Sequence, residues 1–120
     1  MKTAQDPRHK RRVKIIRELF SWEFNKKGKL SEDSQTIVSH LTQIDKLIGK
    51  SAPDRPVSQI NRIDLAILRL AVFELIIKKG TPLKVVIDEA VELAKKYGSD
   101  SSSKLVNGAL GKLVTYAKLN

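Results

Sequence analysis

A chain of 120 residues has room for one domain with a real core, and its 41% apolar content excludes a disordered polypeptide. The absence of cysteine removes disulfides and thiolate metal sites, which leaves a cytoplasmic location as the expectation. The net charge of +10 is concentrated at one end: residues 1–30 hold ten Lys/Arg against Asp6, Glu18 and Glu23. Either a polyanion docks near that end or the face is kept basic for solvation.

In chain order, Pro7 suits a first helical position, and Val13, Ile16, Phe20 and Phe24 then recur at helical spacing, with Ile15, Leu19 and Trp22 widening the apolar arc. This predicts a first helix ending near Asn25. At 100° per residue, Lys10, Lys14, Arg17 and Ser21 share one outward, cationic sector. Residues 26–29 read as a turn. Ser31 is placed to cap a second helix through Ile37, Val38, Leu41, Ile44, Leu47 and Ile48, which Gly49 closes. Two prolines make residues 51–56 a linker between an amino-terminal helical part, 1–50, and a carboxy-terminal part, 57–120, with a helical turn near Val57.

Asn61 is expected to cap a helix in which apolar residues run almost all the way round from Ile63 to Ile77, so this helix is read as central and buried. Asp64, Arg69 and Glu74 interrupt that stretch, and no membrane span or signal peptide is legible. Residues 78–80 end the helix. Thr81 as cap and Pro82 as first residue are predicted to start the next, which buries Val86, Ala90, Leu93, Ala94 and Tyr97 and stops at Gly98. Ser101, Ser102 or Ser103 caps a last helix with Leu105, Val106, Ala109, Leu110, Leu113, Val114 and Ala117 on its apolar side. No segment alternates as a strand would. The expected fold is all-α: a compact bundle of six to seven helices in two small subdomains.

Catalysis finds no footing. His9 and His40 have no second histidine or cysteine at ligand spacing and are read as facing solvent or a nucleic acid. No phosphate-cradling glycine loop occurs, and Glu32-Asp33 and Asp88-Glu89 read as surface or capping carboxylates, since helical neighbours point about 100° apart. No catalytic residue, cofactor or metal is expected. Gly108 and Gly111 sit inside a strong helix at a cost of about 1 kcal/mol each relative to alanine, so something is expected to approach that backbone, either a packed helix or a ligand.

Three segments in order resemble the NusB family: residues 61–75 with Asn61-Arg62-Ile63-Asp64, residues 82–98 with Asp88-Glu89-Ala90 and Lys96-Tyr97-Gly98, and residues 104–111 with Val106-Asn107-Gly108. The basic run Arg8-His9-Lys10-Arg11-Arg12 and the segment Phe20-Ser21-Trp22 resemble the family's first helix. The resemblance implies a non-catalytic transcription antitermination factor. Such a factor binds boxA-type single-stranded RNA with NusE, the small-subunit ribosomal protein ten, and joins the transcription elongation complex. By position it implies RNA contacts at Arg8, His9, Lys10, Arg12, Phe20, Leu105 and Gly111, with Leu105 standing where many members have phenylalanine, and a NusE contact at Asp64. The competing readings are a helical scaffold that binds only protein and a ribosomal RNA maturation factor.

Overall fold

The computed structural model describes residues 6–119, which form six α-helices and, among the described residues, no strand. Helix α1 spans Pro7–Phe24, α2 Glu32–Ser39, α3 Leu41–Ser51, α4 Arg62–Val72, α5 Leu83–Tyr97 and α6 Ser102–Tyr116. A single 3₁₀ turn, Val57–Gln59, precedes α4, and a π-helical turn, Phe73–Lys78, continues it.

Several boundaries follow from local chemistry the sequence displays. The Asp6 carboxylate accepts from the Arg8 N–H at 2.8 Å ahead of Pro7, and Asn61 accepts from the Ile63 N–H at 2.9 Å, so both helices start on a side-chain cap. Lys79 and Gly80 turn into positive φ, 57° and 96°, where glycine is unstrained, and this ends the π turn. At Gly98 the constraint is space: an added Cβ would overlap the Ser102 side chain and lie 2.8 Å from the Ala94 carbonyl oxygen.

Other boundaries differ from expectation. The second predicted helix is two helices broken at His40 (φ −111°, ψ 20°). There the His40 ring (Nδ1, 2.9 Å) and the Ser39 hydroxyl (2.8 Å) both bond the Thr36 carbonyl, so side chains compete for the ladder's acceptor. Gly49 does not stop α3, which runs on to Ser51, whose hydroxyl donates to the Leu47 carbonyl at 2.7 Å. The Thr81 cap does not form. Pro82 itself is extended (ψ 139°) and occupies the cap position, with α5 starting at Leu83. The predicted serine cap of α6 is also absent as a side-chain bond; the Ser102 hydroxyl accepts from the Ser99 N–H instead.

Helix α4 is the centre. Residues 64–72 are all buried, and α4 packs against α1, α3, α5 and α6. One apolar cluster runs from Ile15 on α1 to Leu113 on α6 and includes Ile37, Ile44 and Ile48, so the parts on either side of the proline segment share a core. Helices α5 and α6 form the most extensive pair, and Tyr97, Leu105 and Ala117 sit half-buried at its edge. On α1 the buried face is Ile15, Ile16 and Leu19. Phe20 and Phe24, expected in the core arc, are exposed.

Two buried ionic clusters fix that setting. Near the C-terminal end of α1, the Arg69 guanidinium of α4, 5% exposed, donates twice to Asp45 of α3 (2.9 Å each) and to Glu23 of α1 at 2.7 Å. Burial alone would raise the Glu23 pKa, but hydrogen bonds from Arg69 and Lys26 hold it below its ordinary 4.5. The Glu18 carboxyl is lowered against its own burial by the hydroxyls of Ser34 (2.6 Å) and Ser31 (2.7 Å), which join α1 to the start of α2. A carboxyl depressed on folding contributes stability that is complete above its unfolded pKa near 4.5 and lost as pH falls through the lower folded value. The melting temperature is therefore expected to drop as pH is lowered below 4.5, and Glu23→Gln and Glu18→Gln each to flatten that drop. Thermal melts across this range check it, and identical acid profiles for variants and parent would contradict it.

Candidate nucleic-acid interface

The second ionic cluster lies near the N-terminal end of α1 and sorts the basic run into committed and free charges. Arg12, 8% exposed, makes two 2.8 Å bonds to Glu74 in the π turn and one of 3.2 Å to Glu89 on α5. The bond to Glu74 outweighs burial and pushes the guanidinium pKa up. His9 is also 8% exposed, with Nδ1 3.3 Å from Glu89 Oε1, and Glu89 itself is 1% exposed. These positions correct two expectations, that His9 faces outward and that Glu89 is a surface carboxylate. Both have one reason: the i, i+3 pair His9 and Arg12 shares an inward face of α1 with Ile15, Ile16 and Leu19, and Glu89 lies against both side chains there.

Arg8 stays largely in solvent, its guanidinium bonded to Asp6 at 3.2 and 3.3 Å. It lines, with Arg11, Arg12, Glu74, Asp88 and Glu89, a cleft of about 580 Å³ between α1 and the start of α5. Among the described residues four cations and five carboxylates line that cleft, so its charge nearly cancels and it suits no polyanion.

The outward sector of α1 is different. Lys10, Lys14 and Arg17 are exposed and, among the described residues, take part in no ion pair. With His9, Val13, Glu18, Lys96 and Tyr97 they line a shallow groove of about 410 Å³ where the end of α5 meets α1. Among the described residues the one carboxylate of that groove is Glu18, which accepts from Ser31 and Ser34 and lies near enough to Lys14 for their charges to attract. The Arg17 guanidinium lies 6.0 Å and the Lys96 ammonium 5.5 Å from the Tyr97 ring centroid. Lys96 and Tyr97 escaped the reading of the sequence because their proximity to α1 is a tertiary contact across some eighty residues.

The remaining candidates are scattered. Phe20 is 37% exposed further along α1. Leu105 is half-buried against the core edge, and Gly111 lies on the exposed side of α6. A Cβ at Gly108 or Gly111 would meet nothing within 4 Å, so packing against a neighbouring helix does not explain either glycine. Asp64, the position the resemblance implies as a partner contact, is 3% exposed, with Oδ1 buried and without a hydrogen-bond partner. His40 is exposed, as expected. Among the described residues no group of His, Asp or Glu could hold a metal ion, and no helix is long and apolar enough to cross a membrane.

Fold and site together define a small helical-bundle protein with an unpaired cationic ridge on its first helix. The NusB family model matches residues 27–115, so this chain belongs to the NusB family. The transcription antitermination protein NusB of Agathobacter rectalis is 35% identical over 127 residues, covering 88% of this chain and 97% of that protein. That of Roseiflexus castenholzii is 55% identical over 78 residues, or 63% of this chain, and the match spans little more than half, 55%, of that relative. The solved structure of T. maritima NusB superposes with a TM-score of 0.82 at 32% identity, covering 96% of this chain and 93% of the other.

Removing one partner of a buried ion pair costs about 3–5 kcal/mol, because it strands the opposite charge. Arg12→Ala is accordingly expected to lower stability by that order in denaturant melts. A change below about 1 kcal/mol would mean that Arg12 is free to serve a ligand.

Proposed function

We propose that this chain is a non-catalytic, cytoplasmic RNA-binding factor in transcription antitermination, taking a boxA-type single strand together with NusE in the transcription elongation complex. The observation that carries the RNA part is the row Lys10, Lys14 and Arg17, unpaired among the described residues, beside Lys96 and an aromatic ring. Phosphates draw such charges by releasing counterions, and unpaired bases stack on aromatic faces. The antitermination part is supported by the relatives, which are transcription antitermination proteins, and by the overlap of the whole fold with a NusB structure.

Among the positions the resemblance implies, the geometry favours Lys10 and Phe20 as direct contacts and Gly111 as a point of close backbone approach. Arg8 reaches RNA only by exchanging its bond to Asp6. Arg12 supports the ridge from beneath rather than touching the strand, since its guanidinium already faces Glu74 and Glu89, and His9, at the floor of the groove, has its Nδ1 turned to Glu89. Leu105 contributes an apolar edge without a stacking face. Asp64 as the NusE contact requires a donor that reaches a buried carboxylate, and its unpartnered Oδ1 is an acceptor for one.

Affinity for a boxA-like single strand is expected to fall with rising salt, with a slope of about 0.7 per phosphate neutralised. Replacing Lys10, Lys14 and Arg17 together by alanine is expected to weaken binding and flatten that slope, without the loss of stability expected for Arg12. Titrations of labelled RNA at several salt concentrations check this. An unchanged slope and affinity would return the ridge to solvation and favour the protein-binding scaffold.

A further inference from the structure

Helix α1 ends in an aromatic patch that the core does not use. Phe24 is 71% exposed and Phe20 37%, with ring centroids 5.1 Å apart in an edge-to-face pair at 61°. A lone exposed apolar side chain is ordinary, but these two buttress each other on the outside of a helix whose other face is buried. At 100° per residue, Phe24 falls in the same outward sector as Lys10, Lys14 and Arg17, about 21 Å along the axis from Lys10. Lys27 and Lys29 are exposed in the turn just beyond it. Tyr97 flanks the opposite part of the ridge, with Arg17 over its ring.

Cations in a row with aromatic faces at intervals match an unpaired nucleic acid strand, whose phosphates take the charges and whose bases stack. They match a protein partner less well, because the cores of protein interfaces are depleted of lysine and this patch is two side chains flanked by lysines and arginine on both sides. We propose that Phe24, held edge-on by Phe20, is a base-stacking platform that extends the RNA track to the C-terminal end of α1, taking a nucleotide beyond those held by Lys10, Lys14 and Arg17. This rests on the RNA-binding reading above and adds a contact to it. Stacking is sequence-tolerant, so the platform lengthens the footprint and raises affinity without choosing a base.

The test uses fluorescently labelled oligoadenylates of increasing length, with binding to the full chain followed by anisotropy at several salt concentrations. For strands long enough to reach the end of α1, Phe24→Ala is expected to weaken binding about fivefold or more with an unchanged salt slope, and for the shortest strands to have no effect. Phe24→Trp, which keeps a stacking face, is expected to preserve the long-strand affinity. Thermal melts matching the parent protein establish that each variant is folded, as the exposure of Phe24 leads one to expect. If the parent binds with a clear salt slope and Phe24→Ala binds every length equally well, the platform is overturned while RNA binding stands, and the patch is left for a protein surface. If the parent binds no strand in a salt-dependent way, RNA binding itself fails and the platform fails with it.

Discussion

The rotational setting of α1 depends on two buried ionic clusters, and the exposed ridge depends on that setting. Arg12 reaches Glu74 and Glu89 near one end of the helix, and Glu23 meets Arg69 near the other, with Asp45 completing the second cluster. Such pairs contribute little net stability over an apolar substitute, because desolvation offsets their attraction, yet a mismatched one is costly. Their effect here is to specify orientation. A turn of α1 by a single residue, 100°, would bury a lysine and strand a carboxylate. With Arg12, Ile15, Ile16, Leu19 and Glu23 facing in, Lys10, Lys14, Arg17 and Phe24 must face out.

The same clusters give the charge of the amino-terminal region two uses. The formal +10 counts Arg12 and Arg69 alongside Lys10 and Lys14, but a guanidinium already shared between two carboxylates has few donors left for a phosphate. What a polyanion meets is the unpaired remainder. The outward part of that remainder, Lys10, Lys14 and Arg17, is continuous with the end of α5, where Lys96 and Tyr97 supply a charge and a ring from a different helix, whereas Arg11 lines the mixed-charge cleft. The cationic surface is therefore a property of the packing of α1 on α4 and α5, and it would disperse if α1 were released.

Helices were legible wherever period and punctuation agreed. Asn61 as cap, the nearly all-apolar α4, the stops at residues 78–80 and Gly98, and the outward Lys10-Lys14-Arg17 sector follow from side-chain chemistry within a few residues. The misses have physical sources that such local patterns do not display. At the His40 break the His40 ring and the Ser39 hydroxyl crowd onto a Thr36 carbonyl that the His40 N–H also shares at 3.2 Å, and the widened turn after Val72 changes no hydrophobic period. Phe20 and Phe24 fit an apolar arc as well as Ile15 and Leu19 do, and what decides between the two faces is the ion pairing of Arg12, with partners 62 and 77 residues away. The basic run therefore marked α1 as the cationic helix, while the division of its members into buried and free needed the positions of Glu74 and Glu89. Gly108 and Gly111 were recognisable as costly, but only the empty space above them excludes a packing role.

The most direct test of the claim that unpaired rather than total charge defines the interface is an amide chemical-shift map of the isotopically labelled protein titrated with a short single-stranded RNA. The account predicts salt-sensitive shifts along the outward sector of α1 from Lys10 to Phe24 and at Lys96 and Tyr97, with α2 and α3 undisturbed. Shifts centred instead on the mixed-charge cleft beside Arg12 and Asp88, or on α2 and α3, would contradict it.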